Sequence, residues 1–325
     1  MYPKLNPWAK LEVDEETGKT HFVDLLYDTR YVLSDRAAAL LRRMDGKTDP
    51  YTVDCGMDHD EIEVFLRDME DEVMIYSGRV RKLGFGTCFI PLYVFPEKVD
   101  RAPARTADTV MALLWLPLLI LGLWLCVRHA RDPELPGLFL GMLAGLLTGM
   151  VLHELSHSVS AVACGGRPFE AGIMFSFFRP CGYVSVNDDG IRSKLGQVRF
   201  CLAGVRMNVI LFGLFLIASR ACAGRDLAAD LLFTAGLTNL ILGILNMAMM
   251  RGVDGCTALG HLMGNEDYVD DAAGVILSRK RRRKIRSQGL NGHAAILAAA
   301  LSFLPYLTMP AVAVMLIRGV LIWFR

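Results

Sequence analysis

The chain has 325 residues, 53% of them hydrophobic, and a formal net charge of +1 from 35 Lys and Arg against 34 Asp and Glu. Its mean hydropathy is +0.35. An ordinary soluble domain holds about 45–50% apolar residues and a nucleic-acid binder normally carries a basic excess, so these values point away from both.

The apolar residues are unevenly spread. Residues 1–82 are highly charged and read as a soluble domain, whereas long apolar stretches follow from Thr109. No secretory signal peptide is expected, because the first 30 residues contain "KLEVDEETGK", which no apolar signal core would hold. The eight cysteines are scattered and none forms a CxxC pair. They read as reduced thiols facing the cytoplasm rather than a disulfide framework.

Within residues 10–33 the runs "LEVD", "THFVDLL" and "RYVL" alternate between apolar and polar positions and are separated by turn-like segments. They predict two or three strands. Ser34 is placed to cap a helix, "DRAAALLRRM", with Ala37, Leu40, Leu41 and Met44 on one face. "DGK" at 45–47 should end it. A second helix, "HDEIEVFLRDMEDEV", sets Ile62, Phe65, Leu66, Met69 and Val73 at helical spacing. A small α+β domain of winged-helix type accounts for this order, a generic cytosolic cap being the alternative. Pro91, Pro96 and Pro103 then mark a linker.

Five apolar segments follow, near 109–127, 137–160, 198–219, 228–250 and 294–323. Each reaches the roughly 20 residues that cross a bilayer. The last contains Pro305 and Pro310 and reads as one kinked span or two short ones, giving five to six spans. The basic run "SRKRRRKIRS" at 278–287 and the basic residues of 165–197 should lie on the cytoplasmic side. That orientation puts the N-terminal domain in the cytoplasm of what reads as a bacterial inner-membrane protein. The basic run could also touch lipid headgroups.

The second apolar segment ends in "VLHELSHSVSA" (151–161). His153 and His157 are four residues apart, so on a helix they share a face and can hold one zinc ion. Glu154 is placed to take a proton from an activated water. Ionisable groups within a span cost on the order of 2–3 kcal/mol each, and a shared metal gives the three a common reason to be there. Catalytic zinc usually has three protein ligands and an open position. Asp254, in "NMAMMRGVDG" (246–255), is the leading candidate for the third ligand. Cys164 and His261 are its rivals.

Residues 137–265 resemble the site-2 proteases, the intramembrane zinc metalloproteases. "HELSH" followed by Ala161 is similar to that family's H-E-x-x-H-x-x-x-A helix. "FEAGIMFSFFRPCGYVSVNDD" (169–189) resembles its membrane-associated strand segment, and "RFCLAGVRMNV" (199–209) its A-G-P-x-x-N helix start. "NMAMMRGVDG" resembles its N-x-x-P-x-x-P-L-D-G pattern. Val205 replaces the first proline, and both prolines before the aspartate are missing. The resemblance implies that His153, His157 and Asp254 are zinc ligands and that Glu154 is the general base. It implies Asn208 and Asn246 as groups that touch the substrate backbone or the developing oxyanion. "RYVLSDRAAALLRRMDGKTDPYTV" (30–53) resembles the PqqD-type peptide-recognition domains of ribosomal peptide maturation. That resemblance implies a leader peptide added as an extra strand. An unrelated winged fold is the alternative.

The expected organisation is therefore a soluble domain over 1–86, a linker over 87–108 and a multi-spanning helical protease-like domain over 109–325 with a short membrane-associated β segment. The expected activity is hydrolysis of a membrane-associated or leader-bearing peptide, or of a single-span membrane protein, near the cytoplasmic face. The 169–187 segment would hold extended substrate along a strand edge, or else form a re-entrant loop packed on other spans. Membrane lipid and peptide-modifying enzymes are the expected partners, and nucleic acid is not. The alternative is a non-catalytic, membrane-anchored peptide carrier or export accessory with a structural metal site. A metal transporter is a weaker rival, since the first and fifth segments carry almost no polar residues.

Overall fold

The structure is a computed structural model. It describes residues 2–264 apart from 16, 26–28, 72–73, 77–80, 84–86, 97–98, 177–178, 223 and 248–252. The fifth apolar segment and the basic run therefore lie outside the described residues. The chain forms two compact units. Among the described residues, one draws on those up to Val99 together with Gly166–Gly190, and the other on Asp100–Gly165 and those from Ile191 to Gly264.

In the first unit, β1 (Lys4–Leu5) precedes a three-stranded antiparallel meander of β2 (Ala9–Val13), β3 (Thr20–Asp24) and β4 (Thr29–Val32). The β2–β3 turn closes with Gly18 at φ 67°, a left-handed conformation that glycine adopts without steric cost. Helix α1 (Asp35–Leu41) starts where expected: the Ser34 hydroxyl accepts from the Ala37 N–H at 3.2 Å. Helix α2 (His59–Asp71) opens on a reciprocal cap. The Asp58 carboxylate accepts from the Glu61 N–H at 2.8 Å, and Glu61 accepts from the Asp58 N–H at 3.1 Å. The apolar faces of both helices meet the sheet around Phe22, Leu40, Leu41, Ile62 and Leu66. A short strand β5 (Ile75–Tyr76) pairs with β1 and contributes Ile75 to that core.

Part of the linker expected over 87–108 is strand, although the boundary between the two units, at Val99 and Asp100, falls inside that range. Residues Thr87–Val94 form strand β7, which follows β6 (Arg81–Leu83). Pro91 fits because the pairing shifts register between Pro91 and Tyr93, and an irregular point does not need the missing N–H. Pro103 lies in the first turn of the next helix, where no carbonyl awaits its nitrogen. Strand β7 pairs with β8 (Arg167–Ser176), and β8 with β9 (Arg179–Asn187), in a four-stranded antiparallel sheet ordered β6-β7-β8-β9. The strand character expected of 169–187 is thus present, in the same unit as the N-terminal strands. Trp8 packs edge-on against Phe169 at 6.5 Å, and the Phe95 N–H donates to the Phe169 carbonyl at 2.8 Å.

The second unit is helical: α3 (Arg101–Arg128), α4 (Leu135–Cys164), α5 (Lys194–Cys201), α6 (Ala203–Ala221), α7 (Asp226–Asn246) and α8 (Asp254–Met263). Of these, α3, α4, α6 and α7 are long and apolar enough to cross a membrane, at 28, 30, 19 and 21 residues. On α3, Leu113, Ile120 and Val127 are 68%, 61% and 83% exposed. Side chains this apolar, left uncovered along a whole helix, fit lipid rather than water. The apolar segment near 198–219 is not one helix. The chain turns at Leu202, with φ −86° and ψ 4°, and α5 and α6 lie on either side.

Helix α4 is built on a four-residue period. Gly137, Gly141, Gly145, Gly149, His153 and His157 form a buried stripe, in which neighbours at i and i+4 lie close and the stripe winds about 40° round the helix at each step. The opposite face presents Phe139, Leu143, Leu147, Val151 and Leu155, all exposed. The glycines let α7 come close. A Cβ at Gly145 would sit 2.8 Å from the Ala235 carbonyl oxygen, and one at Gly149 would sit 2.7 Å from Asn239 Oδ1. Small residues allow such contact between membrane helices, where apolar burial gives no driving force.

Candidate metal centre

The glycine seam of α4 leads directly into the histidines. Both are buried, at 7% exposure for His153 and 9% for His157. Asp254, the first residue of α8, meets them. Its Oδ2 lies 3.0 Å from His153 Nε2 and 3.3 Å from His157 Nε2, and the two Nε2 atoms are 3.3 Å apart. Together they form a group able to hold a metal ion. Neither Cys164 nor His261, the alternative third ligands, belongs to a metal-binding group among the described residues.

The three edges fit a tetrahedral ion. Zinc bonds of about 2.0–2.1 Å to N and O place neighbouring ligand atoms about 3.3 Å apart. The protonation chemistry points the same way. His157 Nδ1 lies 2.9 Å from the Phe200 carbonyl oxygen, which can only accept, so Nδ1 carries the hydrogen. In the neutral ring Nε2 then holds a lone pair, and it faces a carboxylate oxygen and a second imidazole nitrogen. Asp254 Oδ2 is itself buried without a hydrogen bond, so this corner of the triangle is open to a cation. Burial pushes the Asp254 carboxyl up, but the two imidazoles, acting as donors and positive charges while no metal lies between them, more than offset this and hold it down to about 2. An ionised carboxylate is the form that a metal ion takes as a ligand.

Glu154 is half-buried and makes no hydrogen bond or ion pair to the described residues. It stands one residue from His153 in the same helix. Asn208, on α6, is 1% exposed and places its amide nitrogen 3.2 Å from His153 Nδ1, across the ring from the Nε2 that faces Asp254. Asn246, the last residue of α7, donates to the Leu242 carbonyl of its own helix at 3.1 Å. Of the six expected site residues, the structure thus gathers the three expected ligands, leaves Glu154 one residue from His153, sets Asn208 against the far nitrogen of His153, and ties the Asn246 amide to its own helix.

Two features were not anticipated. The first is Gly204, one helical turn before Asn208. A side chain there would overlap the His153 ring, so only glycine leaves the imidazole its place. Gly204→Ala should weaken zinc retention by about tenfold or more, since a displaced ligand loses its orientation. Zinc content after dialysis against a graded chelator checks this. The second feature is a buried ion cluster. Asp108 of α3, 1% exposed, accepts from Arg206 of α6 at 2.8 Å and also from Arg199 of α5. Arg206 in turn donates to the Arg199 carbonyl at 2.8 Å, one residue before the carbonyl that holds His157. The isolated charges were visible in the sequence, but their meeting across three helices was not.

Compared with protein-family models, curated proteins and solved structures, the chain matches none. What fold and site establish is a largely helical chain with four helices able to span a membrane, carrying a His-His-Asp group that could hold a metal ion.

Proposed function

We propose that this chain is an intramembrane zinc metalloendopeptidase of the site-2 protease type. The observation that carries the reading is the ligand triangle of His153, His157 and Asp254 with an unpartnered carboxylate, Glu154, beside it. A purely structural site, as an export accessory would have, needs no such base. Three ligands from the protein leave one position open, which suits zinc in a catalytic rather than a structural role.

Zinc bound there supplies Lewis-acid polarisation and a water that ionises near neutral pH. Glu154 takes a proton from the attacking water and passes it to the departing amine nitrogen as the C–N bond breaks. The substrate is a membrane-associated or leader-bearing peptide, locally extended so that its carbonyl can be reached. The first unit recruits it: its PqqD-like strand–helix order and its sheet edges suit the addition of a peptide strand. The protein sits in a bacterial cytoplasmic membrane with its N-terminal domain in the cytoplasm, and peptide-modifying enzymes act with it.

The test compares new peptide termini in cells carrying the wild type and Glu154→Gln. The variant should keep zinc and cut about 10²–10⁴-fold more slowly. An unchanged set of termini rejects the protease reading and leaves the peptide carrier.

A further inference from the structure

Resting on that reading, we propose that Asn208 is a positioning residue. Its side-chain oxygen accepts the Nδ1 proton of His153 when the metal is bound, which fixes the tautomer that aims the His153 Nε2 lone pair at the ion. Its part in the reaction would then lie behind the ligand, in place of direct contact with the substrate's oxyanion.

The two ligand histidines sit in unlike surroundings. His157 meets a backbone carbonyl through Nδ1, and a carbonyl imposes one tautomer. His153 meets an amide side chain, which offers a donor at one end and an acceptor at the other. With the amide nitrogen toward Nδ1, the ring accepts there and keeps its hydrogen on Nε2, which faces Asp254 at 3.0 Å. That arrangement leaves two oxygens, Asn208 Oδ1 and Asp254 Oδ2, buried without a hydrogen bond. A half-turn of the amide reverses every role. Oδ1 then accepts from Nδ1–H, and Nε2 is left with the lone pair that a metal requires.

The packing of α6 supports a dedicated role. Gly204 and Asn208 are one turn apart and share a face. Gly204 leaves the space that the His153 ring fills, and Asn208 meets the ring's far nitrogen. At 1% exposure, Asn208 has no water to substitute for its partner. A donor to a substrate oxyanion would have to reach the open metal position. Asn208 instead lies against the atom of His153 that faces away from it.

The full chain, purified in detergent and stripped of metal, is titrated with Co²⁺, and the visible d–d absorption reports binding against a competing chelator. Asn208→Ala should bind Co²⁺ about 10–100-fold more weakly, the usual effect of losing a partner behind a metal ligand. Asn208→Asp, which can only accept while ionised, should restore affinity to within a few-fold of wild type. Thermal unfolding of the metal-free proteins shows that each variant is folded. Wild-type affinity in Asn208→Ala overturns the assignment. So does an Asn208→Asp variant that is folded yet binds as weakly as Asn208→Ala. A wild type that binds no Co²⁺ at all instead sinks the metalloprotease reading itself. A contact with the oxyanion predicts the converse pattern, in which Asn208→Asp and Asn208→Ala both keep the metal and lose turnover.

Discussion

Asp254→Ala should lower zinc affinity by about 100-fold or more while the rest of the chain stays folded. Structural zinc sites with four ligands bind with about 10–16 kcal/mol. One ligand thus carries about 2.5–4 kcal/mol, and each 1.4 kcal/mol is tenfold in affinity. Asp254 is also the single anion in the triangle, with its Oδ2 3.0 and 3.3 Å from the two imidazoles, so its loss removes charge neutralisation as well as a bond. Because α8 begins at this residue, substitution leaves the glycine seam and the α6–α7 packing untouched. Zinc measured by mass spectrometry on purified protein gives the answer. Stoichiometric zinc in Asp254→Ala, together with loss in Cys164→Ala, would show that the third ligand had been misassigned.

Asp108→Ala should destabilise the helical unit by about 3–5 kcal/mol, the cost of leaving a buried charge without its partner. The carboxylate is 1% exposed and stands between Arg199 and Arg206. The two arginines are not equivalent. The side chain of Arg199 is 40% exposed and can turn to water, whereas that of Arg206 is 10% exposed and cannot. Removing both members of the enclosed pair should therefore be milder. Asp108→Leu combined with Arg206→Met should regain most of the lost stability, because apolar replacements of similar size do as well as a buried ion pair. Thermal unfolding in detergent follows both. An unchanged midpoint in Asp108→Ala would mean that the cluster is solvated. Even where stability returns, the double variant gives up the bond from Arg206 to the Arg199 carbonyl. The Phe200 carbonyl, next in line and the partner of His157, then becomes less firmly held.

The sequence disclosed those features whose signals are local. Apolar runs marked α3, α4 and α7 to within a few residues at most ends, and Ser34 announced α1. The spacing of "HELSH" set two ligands on one face before any fold was known. Asp254 needed the resemblance as well, since a "DG" after a helix is ordinarily a turn. What stayed hidden depends on partners far along the chain. Strand β7 read as linker because its prolines are local breakers, while its pairing lies with β8, from Val94 opposite Glu170 to Thr87 opposite Ser176. Strand identity of this kind is set by neighbours more than by intrinsic preference. The turn at Leu202 escaped because an apolar run continues through it and the backbone departs little from helical. Gly204 and the Asp108 cluster are invisible in one dimension, since each is defined by a side chain on another helix.

The four-residue period of α4 constrains how this helix can change length. Each inserted or deleted residue rotates everything beyond it by about 100°. A single-residue indel between Gly137 and His153 would swing the imidazoles a quarter-turn away from Asp254, although no functional residue had been altered. Changes of seven or eleven residues come within about 20° of the original phase. The thickness of membrane that this helix spans can therefore drift only in coarse steps, with the chemistry at one end acting as the ratchet.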